Sequence, residues 1–300
     1  MVLAGGSGRR LFPLTISRPK PLLPVGGKPM VSFVLEKLKR PWVERVLLAV
    51  GPNAEPYRGL DVELVEEPEP LGTGGPLRLL HKELGEHTLV LNGDTLLSID
   101  LEAFYRAHLT GHSSVTLAVV KKRDTSRYGR VEFDEERRIT QFSEKGLTGA
   151  GWVNAGAYLF RRQARQELPG LSCFSLERDY FPTLSPHEFR AWPSAGDFQD
   201  LGTPKAYLEA NLQQSFIHSS AVLEGATIAE HVRIGPRCRV GVGSHLERCF
   251  LEQDVIVGEG CRISDCILTA GVVVAPRAVL HQQIVVRGEQ PVWFGKGSDE

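Results

Sequence analysis

Cysteine is scarce in this 300-residue chain: there are five, an odd number, with no CxxC pair. That usage argues against both a disulfide framework and a zinc site. A surplus of charge is missing too, since 35 basic side chains stand against 36 acidic ones. Without a general electropositive field, nucleic acid is not an expected partner. Long apolar runs are also absent. Stretches such as Val46 to Val50 and Thr88 to Leu91 are strand-length, far below the roughly 18 residues that span a bilayer, so no membrane partner is expected. The chain runs from Met1 to Gly5-Gly6 with no basic region, apolar core or small-residue cleavage site, which points to the cytoplasm. Only three residues precede Ala4, few for a central strand, which leaves open whether the start lies upstream of Met1.

Two periodicities divide what is present. Up to about Gln214, Val2–Ala4, Arg45–Val50, Val62–Val65 and Thr88–Leu91 read as strands. Met30–Lys39, Gly74–Leu84, Leu101–His108 and Thr203–Gln214 read as helices, with Thr73 and Asp100 placed as N-caps. Such alternation predicts an α/β domain, a Rossmann-like and mostly parallel sheet with ligands outside the carboxyl ends of its strands. After His218 a hexad takes over. Apolar residues recur at Val222, Ile228, Ile234, Val240 and Leu246, then Leu251, Val257 and Ile263, then Leu268, Val274 and Leu280. Two positions before most of them stands a small residue, among them Cys238, Cys249, Cys261 and Cys266, which predicts buried core thiols. Two five-residue steps make Leu246–Arg262 and Ile263–Val279 a repeat, the mark of a solenoid. The pattern resembles the hexapeptide repeat of left-handed parallel β-helices. Domains are therefore expected over 1–214 and 215–300.

The strongest local signal follows the first strand, where Leu3-Ala4 leads into Gly5-Gly6-Ser7-Gly8-Arg9-Arg10-Leu11. Glycines after a strand let backbone N–H groups approach a phosphate or a base edge. Pro19-Lys20-Pro21-Leu22-Leu23-Pro24-Val25 comes next, and its prolines fix an extended path that holds Lys20 near the loop. Arg10 and Lys20 are then placed to neutralise a triphosphate from two sides. The glycines do not fit G-x-G-x-x-G, which disfavours a dinucleotide-binding reading.

This combination, long and in order, resembles the sugar nucleotidylyltransferase family, whose members carry G-G-x-G-T-R-L, then P-K-P-L-L-P-V and K-P-M. Arg9 stands where the family usually has Thr, either as an extra cation beside phosphates or as a solvent-facing side chain. Leu71-Gly72-Thr73 is similar to the family's P-L-G-T loop and Asn92-Gly93-Asp94 to its N-G-D. Tyr128-Gly129, Glu144-Lys145, Asn154 and Asp200 look like its Y-G, E-K-P, N-A-G and D-I-G-T-P elements, with Gly146 in place of the Pro. The resemblance implies a nucleotide site of Leu3, Ala4, Gly5, Gly6, Gly8, Arg9, Arg10, Lys20, Leu71, Gly72 and Thr73. It implies a sugar phosphate site of Asn92, Gly93, Tyr128, Gly129, Glu144, Lys145 and Asn154, and Mg²⁺ on Asp94 and Asp200. Arg10, Lys20, Asp94 and Asp200 would carry catalysis.

The activity implied is transfer of a nucleoside monophosphate from a nucleoside triphosphate to a sugar 1-phosphate. Leu71–Pro76 and Phe174–Asp179 look most like guanylyltransferases, which favours GTP with a mannose or manno-heptose 1-phosphate. Glucose 1-phosphate with dTTP, UTP or ATP is the alternative. A non-catalytic nucleotide-sugar-binding subunit is a different class of reading, but it would be expected to lose Lys20 or the two aspartates, and all are present. An acyltransferase in the repeats is a third, disfavoured because His231, His245 and His281 occupy unlike hexad positions. The β-helix is expected to serve homo-oligomer assembly, over three to four coils.

Overall fold

The computed structural model describes residues 1–143 and 146–295. The chain forms two compact units. One joins residues 1–6 to 30–200, and the other joins 7–29 to 201–295, its last described residue.

The first unit is built on a nine-stranded sheet. Four strands run parallel in the order Glu63–Glu66, Leu47–Val50, Val2–Leu3, His87–Asn92. The long antiparallel Gly151–Arg161 strand follows, pairing with His87–Asn92 and with Val115–Lys122. Leu47–Val50 is buried at every position, as is Val115–Val120. Unbroken burial is what a sheet covered on both faces requires. Two helices form where expected, Met30–Lys37 ending two residues early and Leu101–Thr110 two residues late. Asp100 caps the latter by accepting the Ala103 N–H at 3.0 Å. The helix expected over Gly74–Leu84 is only Gly75–Leu79, because Leu80 leaves helical geometry and closes the turn on Pro76 O. Aromatic rings fill the core below, with Phe181 against Tyr158 at 5.1 Å and Phe189 at 4.9 Å.

The second unit carries the hexads. Its strands stack into three parallel sheets, so that Arg233, Phe250 and Ile267 lie in register one above another, each one coil apart. This is a parallel β-helix. Cys238, Cys249, Cys261 and Cys266 are buried in its core, and Cys173 of the first unit is exposed. The hexad register holds from Ile228 onward but slips at its start. Leu223, not Val222, pairs with Val240 and faces the core, which leaves Val222 43% exposed. Phe216–Ile217 and Gln283–Val285 extend one sheet to five parallel strands, one more turn than the hexads alone imply.

The chain turns the corners of the coils through positive φ. His231, Arg248, Asp265 and Gln282 have φ between 48° and 56° and stack along one edge. For a non-glycine residue this conformation costs on the order of 1–2 kcal/mol. Arg237 bonds Asp254 at 2.6 Å and Arg248 bonds Asp265 at 2.8 Å, linking successive coils and offsetting part of that cost. Helix Pro204–Asn211, capped by Thr203, belongs to the same unit.

The register yields a stability contrast. Leu246→Ala empties a fully buried inward position and should cost about 2–5 kcal/mol in urea unfolding. Val279→Ala removes an outward side chain that is 72% exposed and should stay within about 0.5 kcal/mol. Equal costs at the two positions would mean that the register described here is wrong.

Candidate active site

The loops of the first unit leave the sheet at the carboxyl ends of its parallel strands. Gly93 N–H donates to Leu3 O at 2.8 Å, and Ala4 N–H to Ala49 O at 2.7 Å. Tyr57 reaches the Ala4 carbonyl at 3.2 Å. Leu3, Ala4, Gly5 and Gly93 are thereby brought to one edge. Glu67 enters just beside them. A Cβ on Gly5 would lie 2.8 Å from Glu67 Oε1, so only glycine leaves that carboxylate room. Its Oε2 accepts the Leu71 N–H at 2.9 Å. One carboxylate thus joins the Gly-rich turn to the start of the Leu71-Gly72-Thr73 loop. Glu67 is 3% exposed, has no cation partner among the described residues, and burial raises its pKa. Sequence reasoning missed it, although it stands directly before Pro68-Glu69-Pro70-Leu71.

The next loop is locked to residues a hundred positions away. Gly74 N–H donates to Phe174 O at 3.0 Å and Phe174 N–H to Leu71 O at 3.1 Å. Thr73 is not the helix cap expected of it; Gly74 takes that place without a side chain. The Thr73 hydroxyl instead donates to Glu177 Oε2 at 2.6 Å and accepts the Leu176 N–H at 2.8 Å. Ser175 donates to the same carboxylate at 2.9 Å, and Tyr158 donates to its other oxygen at 2.8 Å. Asn154 donates to the Tyr158 oxygen at 2.9 Å. Thr73 of the nucleotide set and Asn154 of the sugar set are therefore linked through Glu177, which lies in the guanylyltransferase-like Phe174–Asp179 segment but is not among the expected site residues.

Asn92 closes the His87–Asn92 strand, and Asp94 follows one turn later. Thr95–Ser98 then pairs antiparallel with Asp197–Asp200, placing Asp200 opposite Thr95, the neighbour of Asp94. Residues over a hundred positions apart in sequence are thus brought to adjacent strands. No cluster of three or more metal-ligating side chains occurs among the described residues. Close by, the Tyr128 ring meets Phe198 edge-on at 5.1 Å. The Lys122 ammonium lies 4.7 Å from the Phe198 centroid, donates to Phe198 O at 3.0 Å and pairs with Asp197. Asn154 N–H donates to Gly129 O at 3.0 Å, which brings Tyr128-Gly129 beside Asn154. Glu144 and Lys145 lie outside the described residues.

Gly8, Arg9, Arg10 and Lys20 belong to the second unit. Gly8 has φ +60, and a Cβ there would sit 3.0 Å from Lys20 Cβ and 2.9 Å from Thr15 Cγ2. Glycine thus lets Lys20 pack against the Gly-rich turn, where it is 6% exposed. Arg9 and Arg10 are exposed on the short Arg9–Leu11 turn that follows Gly8.

The chain is similar to known proteins. Residues 1–215 match the family described as Nucleotidyl transferase, and residues 204–285 match the GlmU-like, C-terminal hexapeptide family. A mannose-1-phosphate guanylyltransferase of Mycobacterium tuberculosis is 30% identical over 88% of this chain and 82% of its own. A D-glycero-alpha-D-manno-heptose 1-phosphate guanylyltransferase of Aneurinibacillus thermoaerophilus is 31% identical over 70% of this chain and 95% of its own. Among solved structures, HddC from Yersinia pseudotuberculosis complexed with GMP-PN matches with a TM-score of 0.62 at 30% identity, covering 70% of this chain and 96% of that one. By the match over residues 1–215, the chain belongs to the nucleotidyl transferase family.

Proposed function

We propose that this enzyme transfers GMP from GTP to mannose 1-phosphate or a manno-heptose 1-phosphate, releasing pyrophosphate, in the cytoplasm and with Mg²⁺. The guanylyltransferase relatives support the substrate pair, and one observation supports the base: Glu67. Its carboxylate is buried beside Gly5 and Leu71 with a single N–H donor. An ionised carboxylate only accepts hydrogen bonds, and burying one short of donors is costly. Guanine alone among the five common bases presents two adjacent donors on its Watson–Crick edge, N1–H and the 2-amino group. Uracil and thymine flank their one N–H with carbonyl oxygens, which a carboxylate repels. Adenine and cytosine each set a ring acceptor beside the amino group.

The attacking sugar phosphate is already an anion, so the reaction needs no general base and rests on alignment and charge stabilisation. Arg10 and Lys20 meet the charge that builds on the departing pyrophosphate, and Lys145 steers the attacking phosphate. Glu144 and Asn154 hold sugar hydroxyls, the latter with its amide oriented by Tyr158. Asp94 and Asp200 are the residues that would hold Mg²⁺. Two hard oxygen donors suit an ion that keeps its other positions for phosphate and water. Bound there, the ion would supply Lewis-acid stabilisation of phosphate oxygens. Exposed Val222, Ile256 and Val273 along one face of the coils support self-association as a further role of the β-helix.

Two measurements test this reading. Asp94→Asn and Asp200→Asn each remove a negative ligand at nearly constant shape, so the protein should stay folded while kcat falls by roughly 10²–10³-fold. Pyrophosphate release against Mg²⁺ concentration reports it, and parental kcat with unchanged Mg²⁺ dependence in both variants would sink the mechanism. Glu67→Gln replaces one acceptor oxygen by a donor. GTP turnover should lose about 10–100-fold in kcat/KM while UTP or dTTP loses less, the scale of one charge-assisted hydrogen bond. An unchanged preference among the four triphosphates would remove Glu67 from base recognition.

A further inference from the structure

The second unit brings the Pro19-Lys20-Pro21 segment and the hexad coils together, and two anchors on one strand hold that segment. Phe250–Leu251 is a strand of the β-helix. Directly after it, Glu252 receives Arg18 Nη2 at 3.1 Å, with the Glu252 side chain 5% exposed and that of Arg18 32%. The same oxygen accepts the Ala270 N–H at 3.1 Å, from the next coil. Its partner Oε1 is buried without a hydrogen bond, and among the described residues Arg18 is the only cation paired with this carboxylate. At the start of the strand, the Phe250 ring meets Tyr207 at 6.1 Å. Tyr207 donates to Pro24 O at 2.8 Å, and Asn211 bonds both Pro24 O and the Gly26 N–H. Lys20 lies between the two anchors. It is joined to Arg18 through Pro19, whose ring fixes φ near −57° and so passes the position of Arg18 to Lys20 with little slack.

We propose that Glu252 is a positioning residue for the phosphate-binding segment: through Arg18 it sets Lys20, which makes the hexapeptide coils part of the nucleotide site's framework. The inference rests on the reading of Lys20 as a phosphate ligand. It departs from a purely assembly role for the coils, because the anchor lies within the chain and requires no second copy. A carboxylate just after a β-strand of a repeat domain has no reason of its own to be buried; its burial here is explained by what it holds.

The test uses the full-length protein. Glu252→Gln keeps an acceptor for Ala270 N–H but removes the charge, and Arg18→Met removes the other side. Arg237→Ala, which breaks the Arg237–Asp254 pair between coils, serves as the comparison. Each of the first two variants should lower kcat/KM for GTP roughly 3–10-fold, with kcat falling along with it, the combined variant no further than the worse single one, because one interaction is lost in all three. Arg237→Ala should leave kcat/KM parental. Amide hydrogen exchange over residues 7–29 should speed up in Glu252→Gln and Arg18→Met alone. That second readout stands apart from the substrate assignment: if the parent shows no turnover with GTP, the substrate reading fails while exchange still decides the anchor. Unchanged exchange over 7–29, parental kcat/KM in both single variants, or effects that multiply in the combined one would overturn the proposal.

Discussion

Three main-chain hydrogen bonds at one sheet edge, Ala4 N–H to Ala49 O, Gly93 N–H to Leu3 O and Glu67 N–H to Val50 O, set where the loops of the first unit depart. Beyond those bonds the ladder ends, and each strand's next residues must find partners elsewhere. Some find them in the protein: Thr73 in Glu177, Asn154 in Tyr158. The Gly-rich turn has small residues and short reach, and it offers main-chain donors on the side where the strands end. A parallel sheet collects such ends at one edge because its strands share a direction. The site is therefore a consequence of topology before any particular side chain is chosen.

Two buried carboxylates and one half-buried one then show how differently this chain resolves the cost of taking a charge out of water. Glu177 is surrounded by hydroxyls from Thr73, Ser175 and Tyr158, and burial raises the pKa of the Tyr158 phenol and keeps it a donor. Glu252 has one guanidinium and one N–H, with burial raising its pKa against the lowering effect of Arg18. Glu67 has only the Leu71 N–H. A buried acceptor costs about 1–3 kcal/mol for each bond it lacks. Glu177 and Glu252 hold loops in place through the donors they have, although Glu252 Oε1 stays buried without one. Glu67, with a single donor, lies where a ligand with donors is proposed to arrive, which is where a carboxylate short of donors has a use.

Much of this was legible in the residues. The parallel strands, the Asp100 cap and the inward cysteines follow from periodicity, because burial on a regular element repeats with the element. The slip at Val222 shows the limit of that logic: two adjacent apolar residues, Val222 and Leu223, compete for one inward position, and spacing from a single side cannot choose between them. Thr73 misled for a related reason. A threonine before a helix is a natural cap, yet its hydroxyl found a carboxylate 104 residues away, and tertiary competition of this kind leaves no local mark. The pairing of Thr95–Ser98, directly after Asp94, with the strand of Asp200 leaves no mark in spacing. Glu67 carries no local signal of burial, since a glutamate in a loop is ordinarily solvated.

The grouping of residues 7–29 with the coils is the least local feature of all. Arg18 and Glu252 are 234 positions apart, against 104 for Thr73 and Glu177. Closing the longer loop costs only about 0.7 kcal/mol more, because loop entropy grows with the logarithm of length. Distance along the chain is thus a small thermodynamic obstacle, and a single charge-assisted bond exceeds it. Kinetically it matters more. Contacts of large sequence separation form late, and during synthesis the segment that holds Lys20 emerges long before the strand that anchors it. The order of assembly follows: the parallel strands of the first unit can pair while the coils are still unmade. The Pro19-Lys20-Pro21 segment gains its anchors only when the Phe250–Leu251 strand is in place.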